Sequence, residues 1–244
     1  RARILAAAKQ LASRVKYRSL GTFEFLVEED ENGLQTDFVF IEANPRLQVE
    51  HTITEQVTGI DLVALQIGLA QGRSLESLGL DPANPPQLKG YAIQVRVTAE
   101  STDASGMARP AHGRLERFDP PAGPDVRVDT HAYSGYSPAP AFDTLLAKLI
   151  VSSPGPDFAS AVRRLRRSLA EFRIAGVPTN IHLLRAIVGR DDFEKQQNHT
   201  RYLEAILPEL VAAAALLKTQ QEEKDALIGA MGRQASAPAV ATQP

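Results

Sequence analysis

The densest run of polar side chains in the sequence is Phe40-Ile41-Glu42-Ala43-Asn44-Pro45-Arg46-Leu47-Gln48-Val49-Glu50-His51. Successive side chains of a strand point to opposite faces, so Glu42 and Asn44 share a side. The same two-residue beat continues through Arg46, Gln48 and Glu50, with Pro45 expected to end regular pairing. Ile41, Ala43, Leu47 and Val49 take the other parity, which suits burial. Glu24 joins the polar wall if its strand pairs with this one as a hairpin, because Phe23 and Phe25 occupy its opposite face. Glu24, Glu42 and Asn44 then supply two carboxylates and an amide oxygen. Such hard oxygen donors suit Mg²⁺ or Mn²⁺ bridging nucleotide phosphates, not zinc. Arg46 can fork onto an oxyanion. Glu50 can act as a general base if Arg46 and Gln48 hold a small anion. The competing reading is a surface hairpin whose charges are simply solvated.

The elements that must position these groups are legible around them. Ile4, Leu5, Ala8, Leu11, Ala12 and Val15 fall on one face of an opening helix that reads as docked against something. The strand Gly21–Val27 leads into the acidic stretch Glu28–Gly33, where Asn32-Gly33 signals a turn, and Asp37–Asn44 returns as its partner. Thr52-Ile-Thr-Glu55 has capping-box spacing, and Asp61–Gln71 reads as a helix ended by Gly72. A Pro-rich loop, Asp81–Gln87, separates this from an alternating strand, Tyr91–Thr98. Short strands between Gly and Pro turns fill 106–151.

Helical stretches follow. Phe158, Ala161, Val162, Leu165, Leu169 and Phe172 share one helical face, with Arg163, Arg164, Arg166 and Arg167 mostly opposite. No aromatics interleave with these arginines, so a solvated helix face is favoured over an anion or nucleic-acid patch. Residues 201–230 read as a helix or helix pair, and Ala235–Pro244 as a linker.

Composition removes whole classes of chemistry. The 244 residues carry 27 Lys+Arg against 29 Asp+Glu, and this near-neutral balance gives no electrostatic reason to expect nucleic acid. No apolar run approaches the roughly 20 residues of a membrane span. The sequence has no cysteine, so disulfides, zinc-thiolate sites and cysteine nucleophiles are excluded. That absence suits a reducing compartment, and a cytoplasmic location is expected. The five histidines show no metal-type spacing, and no Gly-x-Ser-x-Gly elbow is present. His51 is expected to orient its neighbours, His182 to be a satisfied core or surface histidine, and Tyr133 and Tyr136 to pack. The first residue is Arg1 and not Met, which together with the amphipathic opening helix reads as a piece of a longer polypeptide.

Phe23-Glu-Phe25 followed by the Phe40–His51 segment resembles the C-terminal half of the ATP-grasp core of biotin carboxylases. Arg46-Leu-Gln-Val-Glu-His51 is the specific part, since other ATP-grasp ligases share Glu-x-Asn without this continuation. The resemblance extends to about residue 207 through Ala92–Val97, Tyr136, Phe142–Ile150 and Glu171–Asn180. It implies an α+β fold: the C-terminal half of an ATP-grasp domain (1–88), the biotin carboxylase C-terminal domain (89–207), then a helical extension and flexible linker (208–244). At matching positions it implies that Glu24, Glu42 and Asn44 are ligands of Mg²⁺ or Mn²⁺ on ATP. Arg46, Gln48 and the Val49 backbone would bind bicarbonate, with Glu50 as its base. Arg96 would stabilise the biotin enolate, and its strand is consistent, since Gln94, Arg96 and Thr98 share one face.

Biotin is expected to arrive on a separate carrier domain, because no Met-Lys-Met-like acceptor turn is present. A carboxyltransferase domain or subunit is the other implied partner, with homo-oligomers expected and neither nucleic acid nor membrane. The Gly-rich lid and ATP-binding lysines of a complete biotin carboxylase are absent, so these residues alone are expected to be inactive. Thr52 and Ile53 stand where relatives usually have Pro-Val. Within the class, Phe118–Asp129, Phe142–Lys148 and Phe172-Arg-Ile-Ala-Gly176 resemble long single-chain acyl-CoA carboxylases. Pyruvate carboxylase is the alternative, because Ala92–Thr98 resembles its strand too. A catalytically incomplete piece serving assembly or dimer contacts is the reading from a different class, and another ATP-grasp ligase is a third.

Overall fold

A computed structural model of the chain describes residues 1–30, 35–81, 83–103, 106–139 and 141–235. They form two compact units, Arg1–Lys89 and Gly90–Pro244. In the first, helix α1 (Ala2–Arg14) precedes an antiparallel pair, β1 (Thr22–Glu29) and β2 (Gln35–Asn44), followed by α2 (His51–Thr58) and α3 (Leu62–Ala70). The Asn32-Gly33 turn lies outside the described residues. Phe25 packs edge-on against Phe38 and Phe40 at 5.6 and 5.7 Å, and Phe23 lies 6.5 Å from Phe40. Aromatic pairs of this kind contribute about 0.5–1.5 kcal/mol each beyond their area.

Simple alternation puts Phe40 on the same face as Glu42. The structure separates them with a β-bulge: Glu24 pairs with Glu42, but Phe25 pairs with Phe40, leaving Ile41 as the extra residue. The four phenylalanines therefore share one face of the ribbon while Glu24, Glu42 and Asn44 share the other. Ile41, assigned to the buried parity by sequence, is 56% exposed as a result.

The capping box at Thr52 is not formed. Glu50 takes the N-cap position of α2, and Thr52 is fully buried one residue inside the helix. Glu55 Oε1 accepts from the Leu62 amide at 2.9 Å instead, joining α2 to α3. Asp61 caps α3 by accepting from the Ala64 amide at 2.8 Å. The apolar stripe of α1 is only partly covered: Ile4, Ala8, Leu11 and Ala12 are half-buried, and Leu5 and Val15 are exposed.

The second unit runs β3 (Tyr91–Thr98), β4 (Glu100–Thr102), β5 (Ala108–Pro110), β6 (Arg117–Asp119), β7 (Val126–Thr130), β8 (Leu145–Ser153), α4 (Phe158–Glu171), β9 (Arg173–Ala175), α5 (Ile181–Val188), α6 (Asp191–Glu194) and α7 (Tyr202–Ala235). Its main sheet has the order β3-β8-β7, all antiparallel, with β4-β5 and β6-β9 as separate ribbons. The middle strand β8 is buried along most of its length, which explains its near-continuous apolar run Leu145–Val151. Against it lie Ala161, Val162, Leu165 and Leu169 of α4, a helix capped by Asp157, whose carboxylate accepts from the Ser160 amide at 2.6 Å. Each such Leu or Val contributes about 1.5–3 kcal/mol on burial.

The arginines opposite are tied down more than a solvated face requires. Arg164 meets Asp125 at 2.8 Å, and Arg166 meets the Val188 carbonyl at 2.8 Å and Glu194 at 3.0 Å. Arg167 pairs with Glu171 at 3.0 Å. His182 departs from expectation, since its Nδ1 is buried without a hydrogen-bond partner. Burial, then the neighbouring Arg185 and Lys218 charges, hold its pKa below the usual histidine value. Helix α7 continues unbroken through Leu207 and Pro208, where the sequence reading divides domain from extension. The linker residues 236–244 lie outside the described residues. Among the described residues no helix is long and apolar enough to cross a membrane.

Candidate active site

The β1–β2 bulge builds the first part of the site. With Glu24 and Glu42 directly opposite and Asn44 two residues on, Asn44 Nδ2 donates to Glu24 Oε1 at 2.9 Å and to Glu42 Oε1 at 2.8 Å. Gln48 Nε2 donates to the same Glu24 oxygen at 3.2 Å. Two carboxylates thus face one amide atom. Turning that amide presents Oδ1 in place of Nδ2, which gives three hard oxygens, a donor set that fits Mg²⁺ or Mn²⁺. Among the described residues no group of three or more His, Cys, Asp or Glu side chains offers an alternative metal site.

The connection from β2 to α2 carries the other named residues. Arg46 is exposed, its amide donating to the Asn44 carbonyl at 2.8 Å and its guanidinium reaching the Leu47 carbonyl at 3.3 Å. Gln48 is half-buried, and its Oε1 is buried with no partner. An orphaned buried acceptor is costly, about 1–3 kcal/mol, unless water or a ligand donates to it. Val49 is half-buried, and Glu50 stands exposed at the start of α2. His51 is in contact with its neighbours: Nδ1 lies 2.8 Å from the Gln48 carbonyl and Nε2 lies 3.9 Å from Glu55.

Arg96 belongs to the second unit, on edge strand β3, with its side chain exposed. Lys148 of β8 is its register partner, and Asp129 of β7 is the next residue along that row. Two cations directly opposite would repel. Asp129 offsets this by binding Lys148 at 3.1 Å and taking a bidentate pair from Arg127 at 2.7 and 3.0 Å. Burial pushes the Asp129 pKa up, but the Arg127 and Lys148 hydrogen bonds outweigh it and hold the carboxyl below its usual range. Tyr136 packs against the core as expected, whereas Tyr133 is 62% exposed, its ring 5.6 Å from that of Tyr136.

Residues 94–205 match the biotin carboxylase C-terminal domain, and residues 1–78 match the carbamoyl-phosphate synthase L chain ATP-binding domain. The biotin carboxylase of Nostoc sp. is 41% identical over 198 residues, covering 81% of this chain and 41% of that protein. Residues 94–205 thus form a biotin carboxylase C-terminal domain. The pyruvate carboxylase of Aspergillus niger is 42% identical over 213 residues, covering 87% of this chain and 17% of that one. The solved structure of a single-chain, multi-domain long-chain acyl-CoA carboxylase superposes with a TM-score of 0.78 at 43% identity, covering 85% of this chain and 22% of that one. The chain therefore spans well under half the length of these relatives. The α+β class holds: an ATP-grasp-type ATP-binding part precedes the biotin carboxylase C-terminal domain.

The biotin carboxylase residues named from sequence do not include the supports around Arg96. Lys148 was readable as a lone charge within an apolar strand, a position that demands a partner. Asn180, immediately before α5, also contacts the Arg96 strand; its sequence signals are a capping residue type ahead of an apolar helix and its place at the end of the Glu171–Asn180 segment.

Proposed function

We propose that this chain contributes to the carboxylation of biotin by bicarbonate and ATP, within a biotin-dependent carboxylase. The observation that carries the reading is the convergence of Glu24, Glu42, Asn44 and Gln48 on one face of the β1–β2 ribbon, in a chain whose two parts match the two domain families above. Mg²⁺ bound by Glu24, Glu42 and Asn44 would neutralise charge on the transferring phosphate.

Arg46, Gln48 and the Val49 backbone hold bicarbonate, with its hydroxyl turned toward Glu50. Glu50 takes the bicarbonate proton, and the freed oxygen attacks the γ-phosphorus of ATP, releasing ADP and giving carboxyphosphate. Its breakdown yields CO₂ and phosphate, and the phosphate removes the N1′ proton of biotin. Arg96 stabilises the resulting enolate while its nitrogen bonds CO₂. These side chains act by positioning and by charge stabilisation, not by covalent chemistry.

An acyl-CoA is the favoured final acceptor, on the Phe118–Asp129 and Phe142–Lys148 segments and the long-chain acyl-CoA carboxylase neighbour. Pyruvate is the second reading, supported by the Aspergillus niger relative. A carboxyltransferase and a biotin carrier domain are the proposed partners. The 244 residues by themselves, with no Gly-rich phosphate loop, are proposed to be inactive.

The test is biotin- and bicarbonate-dependent ATP cleavage by the whole carboxylase carrying this chain, compared with Glu50→Gln and Arg96→Ala. Loss in both variants supports the reading, and wild-type turnover in both overturns it. ATP cleavage that needs no biotin at any stage points instead to another ATP-grasp ligase.

A further inference from the structure

We propose that Asn180 is a positioning residue that sets the aim of Arg96; this rests on the role given to Arg96 above. As an edge strand, β3 has β8 on one side only, so the backbone groups on its outer edge need partners from elsewhere. Asn180 supplies them around the arginine. Its Nδ2 donates to the Arg96 carbonyl at 2.9 Å, and its Oδ1 accepts from the Thr98 amide at 3.0 Å. Its own amide donates to the Thr98 carbonyl at 3.3 Å. One residue thereby stands in for a neighbouring strand.

The place matters because the β3–β8 pairing is irregular there. The register shifts between Val97 and Thr98, with Leu146 of β8 as the extra residue. Such a bulge disrupts the ladder locally, so β3 has less support from its inner edge just past Arg96. The clamp holds the outer edge on both sides of that shift, while the fully buried Val97 anchors the opposite face. Asn180 is itself held firmly. It sits at the N-cap position of α5, whose Ile181, Ala186 and Val188 are buried. The loop before it turns at Gly176 (φ +93°), where an added Cβ would meet the Arg114 carbonyl at 2.2 Å.

The chemistry selects asparagine. Aspartate has the same shape and keeps the acceptor for Thr98, but it places an oxygen against the Arg96 carbonyl. Alanine loses both side-chain bonds. If Arg96 acts only on the biotin enolate, loosening it should leave the earlier ATP step untouched.

The experiment measures two rates in the whole carboxylase with its carrier domain left unbiotinylated: bicarbonate-dependent ATP cleavage without biotin, and the increment that free biotin adds. Asn180→Asp and Asn180→Ala are compared with Arg96→Ala and with the Asn180→Asp/Arg96→Ala double variant, with melting temperature followed throughout. A misplacement of about 1 Å is worth about 10²-fold in rate. The increment should therefore fall by about that factor in both Asn180 variants, with biotin-free cleavage and the KM for ATP unchanged. In the double variant Asn180→Asp should add nothing to the loss caused by Arg96→Ala. A normal increment in the Asn180 variants, parallel loss of both rates, or fully additive losses would overturn the proposal. A normal increment in Arg96→Ala would overturn the role of Arg96 and this inference with it.

Discussion

The two units hold their functional groups by different means. In the first, Thr52 and Gly68 are the only buried residues among those described, and Val39, Phe40 and Ile41 are 52%, 45% and 56% exposed. Its carboxylates are placed by side-chain hydrogen bonds and by an aromatic ribbon. In the second, Arg96 rides on a sheet whose covered side is a continuous core running from Val97 and Leu149 to Leu165 and Leu169. Polar placement leaves the oxygen donors free to exchange an internal hydrogen bond for a cation. Apolar placement gives rigidity, which suits the role proposed for Arg96 toward a short-lived anion.

This contrast can be broken first on stability. Leu149 is fully buried, so Leu149→Ala should destabilise the second unit by about 2–5 kcal/mol in denaturant unfolding. Val39→Ala in the first unit should stay within about 0.5 kcal/mol, as for other exposed positions. Equal losses would show that β2 is held by packing after all.

On metal demand the order reverses. Glu42→Gln should raise the Mg²⁺ concentration giving half-maximal ATP cleavage by about tenfold or more, with little change in melting temperature. An unchanged Mg²⁺ requirement would remove Glu42 from the ligand set.

The smallest expected effect is a pH slope in the second unit. The folded pKa of His182 lies below the unfolded one, so between the two values the unfolded chain binds more protons. Stability should thus fall as pH drops below about 6.5. In His182→Gln the urea midpoint should fall less between pH 8 and pH 5 than in the native sequence. The same pH dependence in both proteins would exclude this histidine as the cause.

The meeting of Glu24, Glu42 and Asn44 could be read from the chain because strand alternation puts Glu42 and Asn44 on one face. The beat ends with β2 at Asn44, and the chain turns before Gln48 and Glu50. What alternation could not supply was the bulge at Ile41, because parity along one strand says nothing about the register of its partner. The Thr52–Glu55 spacing misled for a related reason. Glu55 had a second orphan donor available, the Leu62 amide at the start of the next helix, and bonded that one. The clamp on Arg96 joins residues 84 apart in sequence, and no local pattern reports such a contact. Pro208, a natural place to divide the chain, sits near the start of α7 and does not end it.

The central claim is that bicarbonate, activated beside Glu50, attacks ATP directly. Turnover of ¹⁸O-labelled bicarbonate by the whole carboxylase, followed by mass analysis of the inorganic phosphate, tests this most directly. The carboxyphosphate route leaves one bicarbonate oxygen on each phosphate released, with that transfer lost in step with turnover in Glu50→Gln. Phosphate whose one new oxygen comes from solvent, at undiminished turnover, would mean that water cleaves ATP and would contradict the assignment.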